Sequence, residues 1–250
     1  MRMTPTAPPG LARRVAAELV GTAALVTVIV GSGIQAERLS EDVGVALLAN
    51  SLASALGLGV LIVLLGPLSG GHLNPAVTLS EWWARRGDAD APAGREVVAY
   101  CAGQLLGAVL GALLAEAMFG RTPGTWSPAT QVRSDPHLLL GETVATAGLV
   151  LLVVGLRRID RLALAPVAVA GYIAAAIWFT SSGSFANPAA SAGRALSDSF
   201  TGIAPRSLPG FVGAQLLGTV LGVALATVLY GRSDRSDRSE PNGPRTRRTG

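Results

Sequence analysis

The chain has 250 residues, of which 50% are hydrophobic and 14% are charged, and its formal net charge is +4. Such an apolar composition is atypical of a soluble domain and predicts a membrane protein. The single cysteine, Cys101, excludes an intrachain disulfide. The acidic and histidine residues are not spaced as metal ligands or as a catalytic triad, so we expect no enzyme activity, no cofactor, no metal site and no nucleic-acid partner.

Six apolar runs are long enough to cross a bilayer as helices. The predicted spans lie at about 14–35, 43–65, 95–118, 138–156, 162–180 and 208–230. They form one predicted membrane domain over residues 14–230, preceded by a flexible N-terminus at 1–13. Residues 231–250 are rich in Arg, Ser, Asp, Pro and Gly and have no apolar face to bury, which predicts a disordered cytoplasmic tail.

The arginines between the predicted spans indicate which side of the membrane each loop faces. The larger group shares a side with both termini: Arg13, Arg14, Arg85, Arg86, Arg95, Arg157, Arg158 and Arg161. The smaller group lies on the opposite side: Arg38, Arg121, Arg133, Arg194 and Arg206. Because cytoplasmic loops carry an excess of basic residues, we predict a multi-pass protein of the inner (plasma) cell membrane with both termini in the cytoplasm.

The sequence contains an internal repeat. The segment Ala17–Ala23 resembles Gly141–Ala147, and Gln-Leu-Leu-Gly occurs both at 104–107 and at 215–218. Three predicted spans separate the two copies, and this odd number means that the copies are inserted with opposite topology. The two halves of this inverted repeat cover about 14–118 and 138–230.

Each half contains one Asn-Pro-Ala triplet, at Asn74-Pro75-Ala76 and at Asn187-Pro188-Ala189. Asn is a strong helix N-cap and Pro suits the first helical position, so each triplet predicts the start of a helix. The predicted half-helices run from Asn74 to about Ala84 and from Asn187 to about Ser197. Each is roughly 16 Å long, about half of a ~30 Å hydrocarbon core, so two that enter from opposite faces would meet near the midplane.

These facing helix tips predict the chemistry at the membrane centre. Each half-helix directs its positive N-terminal end at one point, and two such ends repel cations, including a hydrated proton. If each Asn oxygen caps its own helix, the Asn amide N–H groups are left free to donate into a water-lined path. Such a path would pass water or hydroxyl-bearing solutes one molecule at a time.

The triplets and their surroundings resemble the aquaporin/major intrinsic protein (MIP) family, above all through the passage SGGHLNPAVT at Ser69–Thr78. The resemblance covers about residues 14–230. It implies an all-α membrane protein, an aquaporin-like right-handed bundle of six tilted transmembrane helices with two re-entrant half-helices. It also implies a homotetramer in the lipid bilayer with one pore per subunit, and a passive channel for small uncharged solutes that excludes protons and ions.

The resemblance further implies a constriction on the outer side of the pore, for which the matching positions are Ser54, Ala175, Ser184 and Ala190. Water-selective and most glycerol-selective members carry Arg directly after the second triplet, where this chain has Ala190. The small residues imply a constriction wider and less charged than a strict water pore. Arg194 lies one turn further on the same face and has two interpretations, a guanidinium at the outer mouth or a loop arginine paired with Asp198.

The second half also resembles a bacterial branch of the family whose members are associated with arsenic-resistance genes. The similar segments are Ser184–Ala189 and Arg194–Ile203. The resemblance implies neutral arsenite and related metalloid acids as candidate solutes, beside water and glycerol-like polyols. Undissociated arsenous acid is a small molecule with three hydroxyls, so an uncharged constriction lined by small residues could admit it as it admits glycerol.

Three further polar residues have competing interpretations. Glu18 and Glu142 fall inside predicted spans and either accept hydrogen bonds from the re-entrant loops or act in a proton relay; their equivalent places in the repeat favour the structural role. His72 either lines the pore, where it could sense pH, or only bonds within its loop. Two alternatives to a channel are a gradient-coupled secondary transporter, which also uses inverted repeats and broken helices, and a purely structural or partner-binding membrane protein.

Overall fold

The structure, a computed structural model, describes residues 9–86, 88, 91–121 and 127–231. Its regular elements in this part of the chain are all helical. The α-helices in chain order are α1 (Leu11–Leu39), α2 (Val43–Ser69), α3 (Pro75–Ala84), α4 (Gly94–Met118), α5 (Pro136–Arg158), α6 (Ala165–Phe179), α7 (Pro188–Arg194) and α8 (Leu208–Tyr230). Short 3-10 turns at Leu162–Leu164 and Pro205–Ser207 precede α6 and α8.

Six of the described helical segments are long and apolar enough to cross a membrane, with mean hydropathies between 1.9 and 2.2. They are α1, α2, α4, α5, α6 with its preceding turn, and α8 with its preceding turn. The six predicted spans and the all-α membrane fold are therefore confirmed. The protein is a multi-pass membrane protein with two additional short helices, α3 and α7.

The first span is longer at both ends than the sequence predicted. It begins at Leu11 rather than residue 14, because Leu, Ala and Arg are good helix formers, and it continues to Leu39. Residues 11–13, predicted as part of a flexible N-terminus, are therefore helical. Residues 1–8 and 232–250, which include the rest of that segment and nearly all of the predicted disordered tail, lie outside the described residues.

The inverted repeat appears in the helix packing, since α1 packs along α4 as α5 packs along α8. Glycines allow these close approaches. A Cβ built at Gly107 would lie 2.3 Å from the Leu19 carbonyl oxygen, and one at Gly218 would lie 2.6 Å from the Thr143 carbonyl oxygen. Any larger side chain would push the paired helices apart, as expected for small-residue ridges in membrane bundles.

The two short helices begin where the sequence predicted, but α7 ends earlier than predicted. Asn187 caps α7, yet the helix stops at Arg194 rather than Ser197. The Ser197 hydroxyl donates to the Glu116 carboxylate on α4, and the Asp198 carboxylate accepts from Thr130. These tertiary bonds draw the chain away from the helical path, and no local sequence signal encodes them.

Candidate functional site

The two half-helices meet tip to tip, and each Asn side chain joins the two tips. The Asn74 Oδ1 atom accepts from the Ala76 N–H at 2.8 Å, while its Nδ2 atom donates to the Ala186 carbonyl at 2.8 Å. The second half repeats this pattern, because Asn187 Oδ1 caps α7 and its Nδ2 atom donates to the Leu73 carbonyl at 2.8 Å. The expectation that both amide hydrogens are free is wrong. One hydrogen of each amide binds the opposite loop, which leaves one for a solute.

The loop before α3 is held by the buried Glu18 carboxylate. Its oxygens accept from the backbone N–H of His72 at 3.0 Å and of Leu73 at 2.7 Å. The Ser69 hydroxyl at 2.6 Å and the Gln104 amide at 2.7 Å complete the set. With four donors, this carboxylate fixes the loop to α1 and α4.

Glu142 does the same for the loop before α7. It accepts from the N–H groups of Phe185 at 2.8 Å and Ala186 at 2.9 Å, and from the Gln215 amide at 2.7 Å. Glu18 and Glu142 are fully buried, and neither lines the cavity described below. Both carboxylates therefore accept hydrogen bonds from the re-entrant loops, as the structural interpretation predicted. Because neither lines the cavity, a proton relay through the pore has no geometric support.

Both loops contain non-glycine residues in the left-handed region. Leu73 has φ 51°, Ser184 has φ 46° and Ala186 has φ 46°. This conformation costs roughly 1–2 kcal/mol for each residue with a Cβ. It directs the Leu73 and Ala186 carbonyls at the opposite Asn side chains, and the bonds to the two buried glutamates offset the cost.

One cavity of about 600 Å³ passes both helix tips. At one end it is lined by Glu81 and Arg157, and at the other by Ala190 and Arg194; these are called the Glu81 end and the Arg194 end. Most of the wall between them is apolar, with side chains such as Leu25, Ile29, Leu58, Ile62, Val77, Leu149, Val153 and Val169. The polar lining residues lie at the helix tips, in the two loops and at the ends, with Asn50 and Ser54 added by α2.

The loops supply hydrogen-bond acceptors along this cavity. In each loop, three cavity-lining residues have carbonyls that accept no hydrogen bond within the described part of the chain. These residues are Gly70, Gly71 and His72 before α3, and Gly183, Ser184 and Phe185 before α7. Unpaired acceptors at membrane depth need a partner. A file of water molecules or solute hydroxyls along the cavity would provide it.

Three of the four predicted constriction residues line the cavity, namely Ser54, Ser184 and Ala190. The fourth, Ala175, does not: it is exposed on the outside of α6. Ile173 and Ile177 line the cavity instead. Residues four apart share a helix face, whereas Ala175 lies two residues from each and so points away from the cavity. Counting back from the second triplet therefore gave the wrong face of α6.

Arg194 also lines the cavity and is only 8% exposed. Its Nε atom donates to the Thr201 carbonyl, and its guanidinium lies over the Phe185 ring, 3.2 Å from the centroid. Asp198 does not pair with it, because that carboxylate accepts from the Thr130 N–H and hydroxyl at 3.0 Å. Of the two interpretations of Arg194, the structure has the one that places the guanidinium in the wall of the pore.

Arg133 also contacts Phe185, with its guanidinium 5.3 Å from the ring centroid. It donates from Nε to the Gly202 carbonyl and from Nη2 to the Gln131 side chain, both at 2.9 Å. Burial in this loop lowers the pKa of Arg133 from its usual value. The sequence indicated only which membrane side Arg133 faces, and nothing local signalled this arrangement.

The Glu81 end of the cavity carries an ion pair that the sequence did not predict. Glu81 on α3 forms an ion pair with Arg157 at the end of α5. Glu81 and Arg194 occupy the same position in the two half-helices, counted from the Asn of each triplet. Aligning the two halves beyond the triplets would have shown that Glu81 and Arg194 are equivalent positions with opposite charges.

His72 both lines the cavity and bonds within its loop. Its Nδ1 atom lies 3.1 Å from the Thr78 hydroxyl, and its ring packs edge-on against Tyr100 with centroids 5.6 Å apart. The two interpretations of His72 are therefore compatible. The described residues contain no group of three or more His, Cys, Asp or Glu side chains that could hold a metal ion.

Two capped half-helices that meet beside a cavity, inside an inverted repeat of six spans, define a membrane channel with re-entrant loops. The model of the family described as "Major intrinsic protein" matches residues 7–196. The chain belongs to this family, which is a channel family and not a family of enzymes.

Individual relatives agree with this assignment. The chain is 46% identical to the "Aquaglyceroporin AqpS" of Rhizobium meliloti (strain 1021), over 86% of this chain and 89% of that protein. It is 32% identical to the "Probable aquaporin AqpM" of Archaeoglobus fulgidus, over 88% of this chain and 96% of that protein. The X-ray structure of the aquaglyceroporin from Plasmodium falciparum matches with a TM-score of 0.65 at 19% identity, covering 90% and 97% of the two chains.

The fold, the cavity and the family together make the chain a passive transmembrane channel for small uncharged solutes. The alternative of a gradient-coupled secondary transporter is not favoured, since its candidate titratable groups, Glu18 and Glu142, are saturated by loop bonds and lie outside the cavity lining.

Proposed function

We propose that this channel conducts both water and glycerol-like polyols, and that neutral arsenite and related metalloid acids share the path. The observation that supports this most is the cavity itself, which is lined by apolar side chains and by loop residues whose carbonyls accept no hydrogen bond in the described part of the chain. A polyol can lay its hydroxyls along the carbonyls and its carbons along the wall. The relatives named aquaglyceroporins agree with a path wider than that of a strict water pore.

The absence of a large side chain at Ala190 supports passage of solutes larger than water. Ser54, Ser184 and Ala190 are small, and the α6 side is lined by the apolar Ile173 and Ile177. Arg194 lies further along α7 at the mouth of the cavity and supplies the donor and the positive charge there. Together with the two helix tips, this charge would exclude protons and other cations.

We also propose the arrangement of the channel in the cell. Residues 14–230 act as one channel domain in the inner (plasma) membrane, with both termini in the cytoplasm and the Arg194 end outside. The supporting observation is the excess of arginines on the Glu81 side. The channel assembles as a homotetramer with one pore per subunit, in keeping with the apolar side chains that α2, α4 and α8 expose.

Stopped-flow light scattering on proteoliposomes tests this function. Vesicles containing the protein should swell in inward gradients of glycerol and of arsenous acid at neutral pH, and shrink rapidly under hyperosmotic sucrose, without a proton gradient or a membrane potential. Empty vesicles and vesicles containing Ala190→Trp, whose indole would fill the cavity beside Arg194, serve as controls. Flux that requires either gradient, or that saturates at low solute concentration with slow turnover, would refute a channel.

A further inference from the structure

We propose that the Arg194 end of the cavity is a binding site for small oxyanions, which reversibly slow the passage of neutral solutes from that side. The chemical class is a carboxylate or a tetrahedral oxyanion of phosphate size. The effect on flux rests on the proposed function, whereas binding itself does not depend on it.

The guanidinium of Arg194 is held in place in the cavity wall and has N–H donors available for an anion. The residue is more than nine-tenths buried and lines the cavity. Only its Nε atom has a hydrogen-bond partner, the Thr201 carbonyl, so both Nη groups are unpartnered within the described part of the chain. A planar fork of free N–H donors matches the oxygens of a carboxylate or a phosphate.

The charge of this site is not compensated. Neither Arg194 nor Arg133 forms an ion pair with a carboxylate in the described residues. Both guanidiniums contact the Phe185 ring and repel each other, and the carboxylate that acts electrostatically on both is Glu142. Glu142 already accepts three hydrogen bonds and lies outside the cavity. An anion in the cavity would therefore relieve the repulsion.

At the Glu81 end of the pore, by contrast, the charge of the half-helix residue is compensated by an ion pair. Glu81 occupies the equivalent position in the first half, and Arg157 forms an ion pair with it. At the Arg194 end the described residues supply no such partner. The inhibition should therefore be one-sided and should act from the Arg194 end.

There is also space for an anion next to the guanidinium. Ala190 precedes Arg194 by one turn of α7 and carries only a methyl group toward the cavity. Ser184 and Asn187 line the same cavity. A phosphate bound to the two Nη groups would occupy the width that a polyol needs, so neutral flux should fall as occupancy rises.

Glycerol flux into right-side-out membrane vesicles, with inorganic phosphate as the probe, tests the proposal. Phosphate added outside at fixed ionic strength, with chloride as the reference anion, should slow the flux at millimolar concentrations, the range expected of one bidentate pair. Arg194→Gln should abolish this sensitivity, and Arg194→Lys should weaken it severalfold because an ammonium cannot bind in a bidentate manner. Arg206→Gln, at an exposed arginine on the same side, should retain it. Each variant is compared with its own phosphate-free flux.

The proposal would be overturned by phosphate that slows Arg194→Gln and Arg206→Gln equally, or by phosphate that acts only from inside the vesicles. Calorimetric titration of purified wild-type protein with phosphate separates the site from the pore. Suppose that the wild-type protein binds phosphate, that Arg194→Lys weakens this binding, and that the protein conducts no glycerol. This result would refute the proposed function and leave the anion site intact. Glycerol flux without phosphate binding and without inhibition would refute the anion site and leave the proposed function intact.

Discussion

Replacement of Glu142 tests whether a buried carboxylate holds the second re-entrant loop in place. In Glu142→Ala the N–H groups of Phe185 and Ala186 and the Gln215 amide lose their acceptor in a fully buried site. A buried donor without a partner costs about 1–3 kcal/mol, so three of them cost about 3–9 kcal/mol. That is comparable with the whole stability of many proteins, about 5–15 kcal/mol.

The conservative variant Glu142→Gln separates this role from proton transfer. Its single amide oxygen can take the place of the carboxylate oxygen that accepts two of the three bonds, so about one bond, or 1–3 kcal/mol, should be lost. We therefore expect Glu142→Gln to fold with a lower melting temperature and to conduct glycerol independently of pH. A proton relay would instead stop in this variant.

Thermal unfolding in detergent, followed by glycerol flux in proteoliposomes, measures both effects. Glu41→Gln, at an exposed position between α1 and α2, is the matched control and should change stability by less than about 0.5 kcal/mol. Glu142→Ala that matches this control in melting temperature and flux would refute the structural role of the carboxylate. Glu142→Gln that folds normally but acquires or loses a dependence of flux on pH would refute it as well.

Three further predictions concern the pore lining, the helix contacts and the caps. Ala190→Arg should reduce glycerol flux more than water permeability in the same vesicles, because it narrows the cavity beside Arg194; equal retention of both would show that this position does not set selectivity. Gly111→Ala should destabilise the protein by about 1–3 kcal/mol in detergent unfolding, since its Cβ would lie 2.2 Å from the Ala23 carbonyl oxygen, whereas Gly171→Ala, with open space around it, should not. Asn187→Ala should lower the free energy of unfolding by about 1 kcal/mol or more, because both the cap and the bond to the opposite loop are lost. It should also raise the cation leak of vesicles, measured with a potential-sensitive dye.

The features that the sequence predicted are those with local signals. The six spans follow from apolar length, and the starts of α3 and α7 follow from an Asn cap and a Pro at the first helical position. The roles of Glu18 and Glu142 could be inferred because the repeat places both before equivalent loops. Each of these signals lies within a few residues or recurs in both halves.

The features that the sequence did not predict depend on backbone conformation or on distant contacts. The bonds between each Asn and the opposite loop require Leu73 and Ala186 to adopt positive φ, which neither residue type suggests. Ala175 was misplaced because the path of the loop between α6 and the second triplet cannot be counted in residues. The early end of α7 depends on contacts of Ser197 and Asp198 with residues far away in the chain.

The repeat explains what the two halves share, and its departures mark where the pore is asymmetric. Near the centre the halves agree, since each loop is followed by an Asn that caps one helix and binds the other loop. Even the aromatic contacts correspond, with His72 edge-on to Tyr100 and Phe185 edge-on to Phe211.

Away from the centre the equivalent positions diverge. Along the half-helices, Val77 corresponds to Ala190, and Glu81 corresponds to Arg194. The first half thus has the bulkier side chain and a paired charge, while the second has a smaller side chain and a charge that forms no ion pair within the described ranges. The two helix tips, which the halves share, oppose a cation that approaches from either side. Discrimination among neutral solutes depends on width and donors at one end, so we expect substitutions at Ala190 and Arg194 to change solute preference while cation exclusion is retained.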